Sequence, residues 1–424
     1  MHYLIVLAVR SAWNRRYPLT FTLLSIALAT SLLVGVERLR HDVRESFSQS
    51  VSGTDLVVGG RASPVQLMLY AVFRIGEAPQ NMRWTSAQKL SNHPAIAWSI
   101  PLSLGDSHRG FPVLGTSTDY FAHFRYGDRQ PLRMQTGKPF AGVFDAVLGA
   151  EVARRLGYQL GEKIVLTHGS SGLEGAAHVD KPFFVVGILA PTGTPVDRTV
   201  HITLPGMEAI HLDWQGGAPM PGFSIPPELV RKFDLTPRTI TAQLIGLKQR
   251  GDVFAMQRAI ADESDEALMG VMPGVTLDQL WEDVGQGEQA LLLVSWMVAL
   301  VGLGGLVAVI LASLDARRRE LAILRSVGAR PRELLLLLAL EGFAVTVGGI
   351  VVGVTLLSAL LVIATPWIEA HYGIALNGVK LSGDDAISLA ALLGWILLAG
   401  SIASLLPGLR AYRLSLIDGL TPRT

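Results

Sequence analysis

Four long stretches of the chain carry no charged side chain: Tyr17–Val36, Gln289–Leu314, Gly342–Thr365 and Ala386–Leu409. Each has about 20 residues or more, enough α-helix at ~1.5 Å per residue to cross a hydrocarbon layer ~30 Å thick. The spacing between them is uneven. One run is followed by a gap of about 250 residues, and then three lie close together. The pattern predicts a membrane α-helical protein with four transmembrane helices and a large α+β extracytoplasmic domain inserted between helices 1 and 2. The first run, although preceded by Arg10, Arg15 and Arg16, is longer than the ~7–15-residue apolar region of a signal peptide and is expected to remain as an anchor.

Beyond the first run, Val36, Leu39, Val43, Phe47 and Val51 recur at intervals of three and four, which predicts that the helix continues out of the membrane with one apolar stripe. A similar stripe, Leu277, Leu280, Trp281, Val284 and Leu291, leads into the second run. The two are read as a stalk, with core helices of the inserted domain as the other reading. Between them, β-branched and aromatic runs at Asp55–Val58, Lys163–Thr167, Phe183–Leu189 and Thr239–Leu244 predict strands. Helices are expected near 85–92, 150–157 and 252–264. Strand 239–247, helix 252–264 and a strand near 271–276 suggest a βαβ unit, and Gly216–Pro227 is expected to divide the domain into two lobes. The segment Val65–Ile75 is almost wholly apolar and too short to span. Its Leu67, Leu69 and Phe73 are either core or a surface that meets lipid or apolar cargo.

The predicted boundaries are an amphipathic helix on the cytoplasmic face (1–16), helix 1 (17–36) with its stalk to about 51, and a two-lobed domain (52–275). A second stalk (276–288), helix 2 (289–314), a cytoplasmic loop (315–333) and helix 3 (334–365) follow. An outer loop (366–385), helix 4 (386–409) and a cytoplasmic tail (410–424) complete the chain. Charge location sets the orientation. The loop between the second and third runs holds Arg317, Arg318, Arg319, Arg325, Arg330 and Arg332 against Asp315, Glu320 and Glu333, so the positive-inside rule makes it cytoplasmic. Both termini then lie inside and residues 37–288 outside.

The 424 residues carry a formal net charge of +1 with no basic tail, which argues against a nucleic-acid partner. There is no cysteine, which excludes disulfides, thiolate catalysis and Cys-based metal centres. The fragment nearest to a phosphate-binding loop, Gly157–Lys163 (GYQLGEK), has the wrong spacing and lacks the following Ser/Thr. Gly169–Gly172 is not a nucleophile elbow, and no HExxH occurs. Nine of the ten histidines fall in the outer segments, scattered and without an i,i+4 pair, so no metal site is assigned. A membrane-anchored metal-binding protein is retained only as a third alternative. Glu341 is the one acidic residue early in helix 3, too little for an ion relay. Gly349 and Gly353 form a GxxxG, read as weak support for helix-packed dimerisation.

The loop sequence Ala316–Arg332, ARRRELAILRSVGARPR, is the most specific stretch. It resembles the coupling helix of the FtsX/MacB/LolC-like ABC permeases: Arg318, Arg319, Glu320, Leu321, Ile323, Arg325, Gly328 and Ala329 match that pattern in order. The N-terminal LAVRSAWNRRYPLTFTLLSIALATSLLVG, Glu341-Gly342, the tail GLRAYRLSLIDGL and, in the outer domain, VLGAEVARRLGYQLGEKIVL, PFFVVGIL and Asp197 resemble the family too. Leu416 and Gly419 depart from the usual proline and alanine of the tail.

The resemblance implies a permease in the bacterial inner membrane with a periplasmic domain. Its coupling element would be Arg318, Arg319, Glu320, Leu321, Ile323, Leu324, Arg325, Val327 and Gly328. It implies no cofactor in this chain, ATP and Mg being bound by a separate ABC-type ATPase subunit. A second permease copy or a paralogue, membrane lipids and a periplasmic or lipoprotein partner are also implied. The action implied is mechanotransmission: ATP-driven closure of the ATPases moves the outer domains to export or extract a periplasmic or lipid-anchored substrate. The alternative is a signalling subunit that controls a periplasmic enzyme.

Overall fold

The computed structural model describes residues 16–76, 80–169, 177–215, 218–220, 224–316, 330–372 and 383–412. The chain divides into two compact units, one helical and one built on a sheet.

The helical unit holds most of α1 (Arg16–Gln49), the C-terminal part of α9 (Pro273–Ala316), most of α10 (Pro331–Tyr372) and α11 (Gly383–Tyr412). Ile26 of α1, Val345 of α10 and Ala403 of α11 pack with Leu303 and Val307 of α9. Ala29 and Leu33 pack with Ala299, Ile350 and Ile396 in a second layer. On α1 the exposed large residues Tyr17, Phe21, Leu24, Leu28 and Leu32 recur every three or four positions, forming an apolar outer face. Among the described residues, two helices, Tyr17–Leu39 and Ala339–Thr365, are long and apolar enough to cross a membrane; the other two carry shorter apolar stretches, Gln289–Gly305 and Leu389–Ala403.

Small residues set the helix contacts. A Cβ on Gly353 would lie 2.5 Å from the Ala27 carbonyl oxygen, and one on Gly349 would lie 2.7 Å from Ile26 Cγ2. Gly400 meets Thr346 Oγ1 in the same way, at 2.5 Å. The GxxxG face of α10 is thus occupied by α1 of the same chain. This corrects its reading as a dimer contact: close approach of backbones is satisfied within one protomer.

Among its described residues the sheet domain has eleven strands in one connected sheet, with three two-stranded ribbons beside it. In chain order they are β1 (Leu56–Gly60), β2 (Ile96–His108), β3 (Phe111–Thr116), β4 (Met134–Gly137), β5 (Asp145–Leu148) and β6 (Lys163–Ile164). Then come β7 (Thr167–His168), β8 (Phe183–Leu189), β9 (Val200–Thr203), β10 (Ala242–Leu247) and β11 (Leu268–Val271). The order across the sheet is β11-β1-β10-β2-β3-β9-β5-β8-β4, with β7 on β2 and β6 on β8. Pairs β3/β9 and β5/β8 are parallel; the remaining pairs are antiparallel. Helices α2 (Pro64–Ala71), α3 (Trp84–Ser91), α4 (Asp119–His123), α5 (Ala150–Leu156), α6 (Leu204–His211), α7 (Pro227–Val230) and α8 (Val253–Ala261) complete it.

Several expectations change here. The βαβ unit exists as β10, α8 and β11, but β1 lies between its strands, and α9 begins at Pro273 where strand was expected. The predicted strand Lys163–Thr167 is two short ones, β6 and β7, which pair with different partners. One sheet includes strands from both sides of Gly216–Pro227, and residues 43–284 belong to one compact unit. Leu67 and Phe73 are buried at 1 % and 6 % exposure, with Leu69 packed against the same core. The exposed contact surface proposed for them is corrected to core, because α2 lays this face on β1 and β11. The stripe before the second run is also domain core in part. Leu277 is buried and Leu280 packs on the cluster that holds Val57 and Val271.

Candidate functional site

Residues far apart in sequence meet beside the end of β2. The register of β2 on β3 shifts between Leu104 and Ser107, a bulge that re-aims a side chain, and Asp106 within it is buried. Strand β7 then pairs His168 directly with Asp106. After the segment that follows β7, Ala177 bridges back to Thr167 and the His178 amide donates to the Leu166 carbonyl at 2.9 Å, which places a second imidazole next to the first. The third comes from α6. Thr203 caps that helix by accepting from the Gly206 amide at 3.0 Å, Pro205 occupies its first turn, and His211 falls in its last turn, where the helix dipole favours a cation.

A buried ion pair ties two of these segments together. Lys181 Nζ, wholly buried, donates to both Asp213 carboxylate oxygens at 2.7 and 2.6 Å and to Asp180 at 2.9 Å. Lys181 is three residues beyond His178 and Asp213 two beyond His211, so the pair fixes the two histidine-bearing segments against each other. Trp214 covers the group, its ring 4.2 Å from that of His178 and 5.5 Å from that of His168.

The donor atoms converge. His168 Nδ1 is 3.0 Å from Asp106 Oδ1 and 3.1 Å from His211 Nε2, and His211 Nε2 is 3.5 Å from Asp106 Oδ1. One donor atom from each of Asp106, His168, His178 and His211 lies within 4.8 Å of every other. His211 Nδ1 donates to the Met207 carbonyl at 2.9 Å, which directs Nε2 into the group. Burial pushes the Asp106 carboxyl up, but hydrogen bonds from His168 and His211 and the nearby imidazoles outweigh it and hold the carboxyl down at about 2. Burial, and then His211, push His178 down to about 4, so it is a neutral donor at pH 7. His211 is disfavoured as a cation by burial, yet its bond to Asp106 moves it upward.

Sequence reasoning misses this group, because its histidines are scattered along the chain. Spacings of 10 and 33 residues between them match no ligand motif, and only the pairing of β7 with β2 reveals the fourth member. Asp197, noted in the sequence, organises a turn by accepting from the amides of Thr192 and Gly193. The coupling residues Arg318, Arg319, Glu320, Leu321, Ile323, Leu324, Arg325, Val327 and Gly328 lie outside the described residues. Of the stalk residues, Leu39 is 48 % exposed, Leu277 and Leu280 belong to the domain core, and Trp281 is half-buried. The side chains of Val43, Phe47 and Val284 lie outside the described ones.

Two family models match the chain. The MacB-like periplasmic core domain matches residues 19–244, more than half of it, and the FtsX-like permease C-terminal region matches residues 292–416. The chain belongs to the FtsX/MacB-like ABC transporter permease family. Members of this family are inner-membrane proteins with a periplasmic domain, and the two apolar helices fit that description. The sheet domain is similar to the periplasmic region of MacB from Actinobacillus actinomycetemcomitans, at 12% identity and TM-score 0.33, over 55% of this chain and 95% of that one. It is also similar to the extracellular domain of the noncanonic ABC-type transporter YknZ from Gram-positive bacteria. There the identity is 11% and the TM-score 0.29, over 51% of this chain and 99% of that one. A search of curated protein sequences finds no match.

Proposed function

We propose that this permease couples ATP hydrolysis by a separate ABC-type ATPase to movement of its periplasmic domain, for export or extraction of a periplasmic or lipid-anchored substrate. The observation that carries this reading is the order of the two family matches. The MacB-like match, residues 19–244, takes in the first apolar helix and most of the sheet domain, and the FtsX-type match, residues 292–416, follows it; along the chain α1 leads into the domain and α9 leads out of it. Helices α1 and α9 are 34 and 44 residues long without a break. Along the chain each helix starts in one of the two units and ends in the other, and in this reading the two carry the ATPase's movement to the sheet domain.

The ATPase would engage the loop 315–333, whose sequence sets the apolar Leu321, Ile323 and Leu324 among arginines. ATP and Mg would be held in that partner, since this sequence carries no phosphate-binding loop. In this reading four helices cross the bilayer, both termini are cytoplasmic, and two permease chains, identical or paralogous, serve each complex. The test is the triple variant Leu321→Ser, Ile323→Ser and Leu324→Ser. It is expected to insert normally and to lose the co-purifying ATPase; retention of the ATPase at the wild-type ratio contradicts the coupling role.

A further inference from the structure

We propose that Asp106, His168, His178 and His211 form a binding site for one divalent transition-metal ion of the Zn2+ class in the sheet domain. Tetrahedral Zn2+ with bonds of about 2.0–2.1 Å places neighbouring donors about 3.3 Å apart. The three edges among Asp106 Oδ1, His168 Nδ1 and His211 Nε2 are 3.0, 3.1 and 3.5 Å, so three vertices of such a tetrahedron are in place. His178 supplies the fourth from within 4.8 Å.

The second observation is the state of His178. It is wholly buried, and neither of its ring nitrogens has a hydrogen-bond partner among the described residues; Asp106 Oδ2 has none either. Each unpaired buried donor or acceptor costs about 1–3 kcal/mol, and in His178 both ring nitrogens are unpaired, whereas the buried His201 keeps a bond from Nδ1 to the Val147 carbonyl. His108, on the same strand as Asp106, pairs both of its nitrogens. Its Nδ1 bonds to the Val165 carbonyl at 2.7 Å and its Nε2 to the Tyr158 hydroxyl at 3.0 Å. His178 instead directs an unpartnered imidazole at a carboxylate and two further imidazoles.

The donor set selects the ion. Imidazole nitrogens suit Zn2+ and its first-row neighbours, whereas Ca2+ and Mg2+ take oxygen ligands. The Met207 carbonyl fixes the His211 ring through Nδ1, as outer partners of metal-bound histidines do. His168 and His211 have partly exposed side chains, 36% and 28%, and provide the way in from solvent. Four protein donors leave no open position, so the ion would be held and would join β2, β7, the segment at 178 and α6, rather than activate a water. The site does not depend on how the permease is driven.

The test uses the full-length protein in detergent, stripped with chelator, dialysed and titrated with Zn2+ by calorimetry, with bound metal counted by mass spectrometry. One Zn2+ per chain is expected. Co2+ in its place should give the intense visible absorption of a tetrahedral site. His168→Ala and His178→Leu should each weaken binding by more than the roughly 10–100-fold that losing an outer-shell partner costs, and His93→Ala should leave it unchanged. Zn2+ should raise the melting temperature of the wild type and not that of His178→Leu. A wild-type chain that binds no Zn2+ overturns the proposal, as does one equivalent retained in both ligand variants. Equal destabilisation of the metal-free and Zn2+-treated proteins by His178→Leu also overturns it, since that is the mark of a purely structural residue.

Discussion

The helical unit makes its closest contacts where side chains are missing, and the sheet domain makes its most specific ones where polar side chains are buried. At Gly353 the backbone of α10 meets that of α1, with no room for a methyl group. In the sheet domain, Lys181 and Asp213 are buried as a charged pair beside a cluster of three histidines and a carboxylate. The difference follows from the setting. Helices in an apolar surrounding gain no hydrophobic advantage from bulk and associate through backbone proximity, whereas a domain in water can bury charge if each charge is paired.

The comparison is broken most sharply at Lys181. Lys181→Met leaves Asp213 buried with only the Ile225 amide at 2.9 Å among the bonds described for it, and such a loss costs about 3–5 kcal/mol. The expected result is a large fall in the melting temperature of the sheet domain, seen by calorimetry; a change of a degree or two would mean that the pair does not hold these segments. A smaller effect is expected in the helical unit. Gly353→Leu should cost about 1–3 kcal/mol through overpacking and lower the yield of folded protein in detergent. Gly304→Leu, with nothing within 4 Å of its Cβ position, should be tolerated. Equal behaviour of the two glycine variants would contradict the packing described for α1 and α10.

Burial, and then the Arg74 charge, push His201 down to about 3. Its folded value therefore lies below the unfolded one of about 6.5, and the unfolded chain takes up the proton first as pH falls. Stability is present above about pH 6.5 and is lost as the pH drops toward 3. His201→Leu should flatten the melting temperature between pH 6.5 and 4. An unchanged slope would assign the acid sensitivity to other groups.

The helical unit was largely legible in the sequence, because charge-free runs of 20 or more residues are rare in domains that fold in water. The partner of each helix was not: GxxxG says that something packs closely but not what, and Ile26 and Ala27 of α1 proved to be the occupants. In the sheet domain, a run of aromatic and β-branched residues marked β8 at its full length, Phe183–Leu189. Strand order stayed hidden, since β1 enters between β10 and β11 from almost 200 residues away. The histidine cluster was invisible for the same reason. Its members lie on a bulge, an edge strand, a loop and a helix end, and no local period relates those positions.

In the proposed mechanism an outside ATPase moves the sheet domain relative to the helices. The chain has no native cysteine, so Ser264→Cys in the sheet domain and Ser358→Cys on α10 can be spin-labelled alone and their separation measured in the reconstituted complex. The account predicts a distance distribution that shifts on adding ATP with the wild-type ATPase and stays fixed with the Leu321/Ile323/Leu324→Ser permease. A distribution unaltered by ATP in a complex that is hydrolysing it would contradict the account.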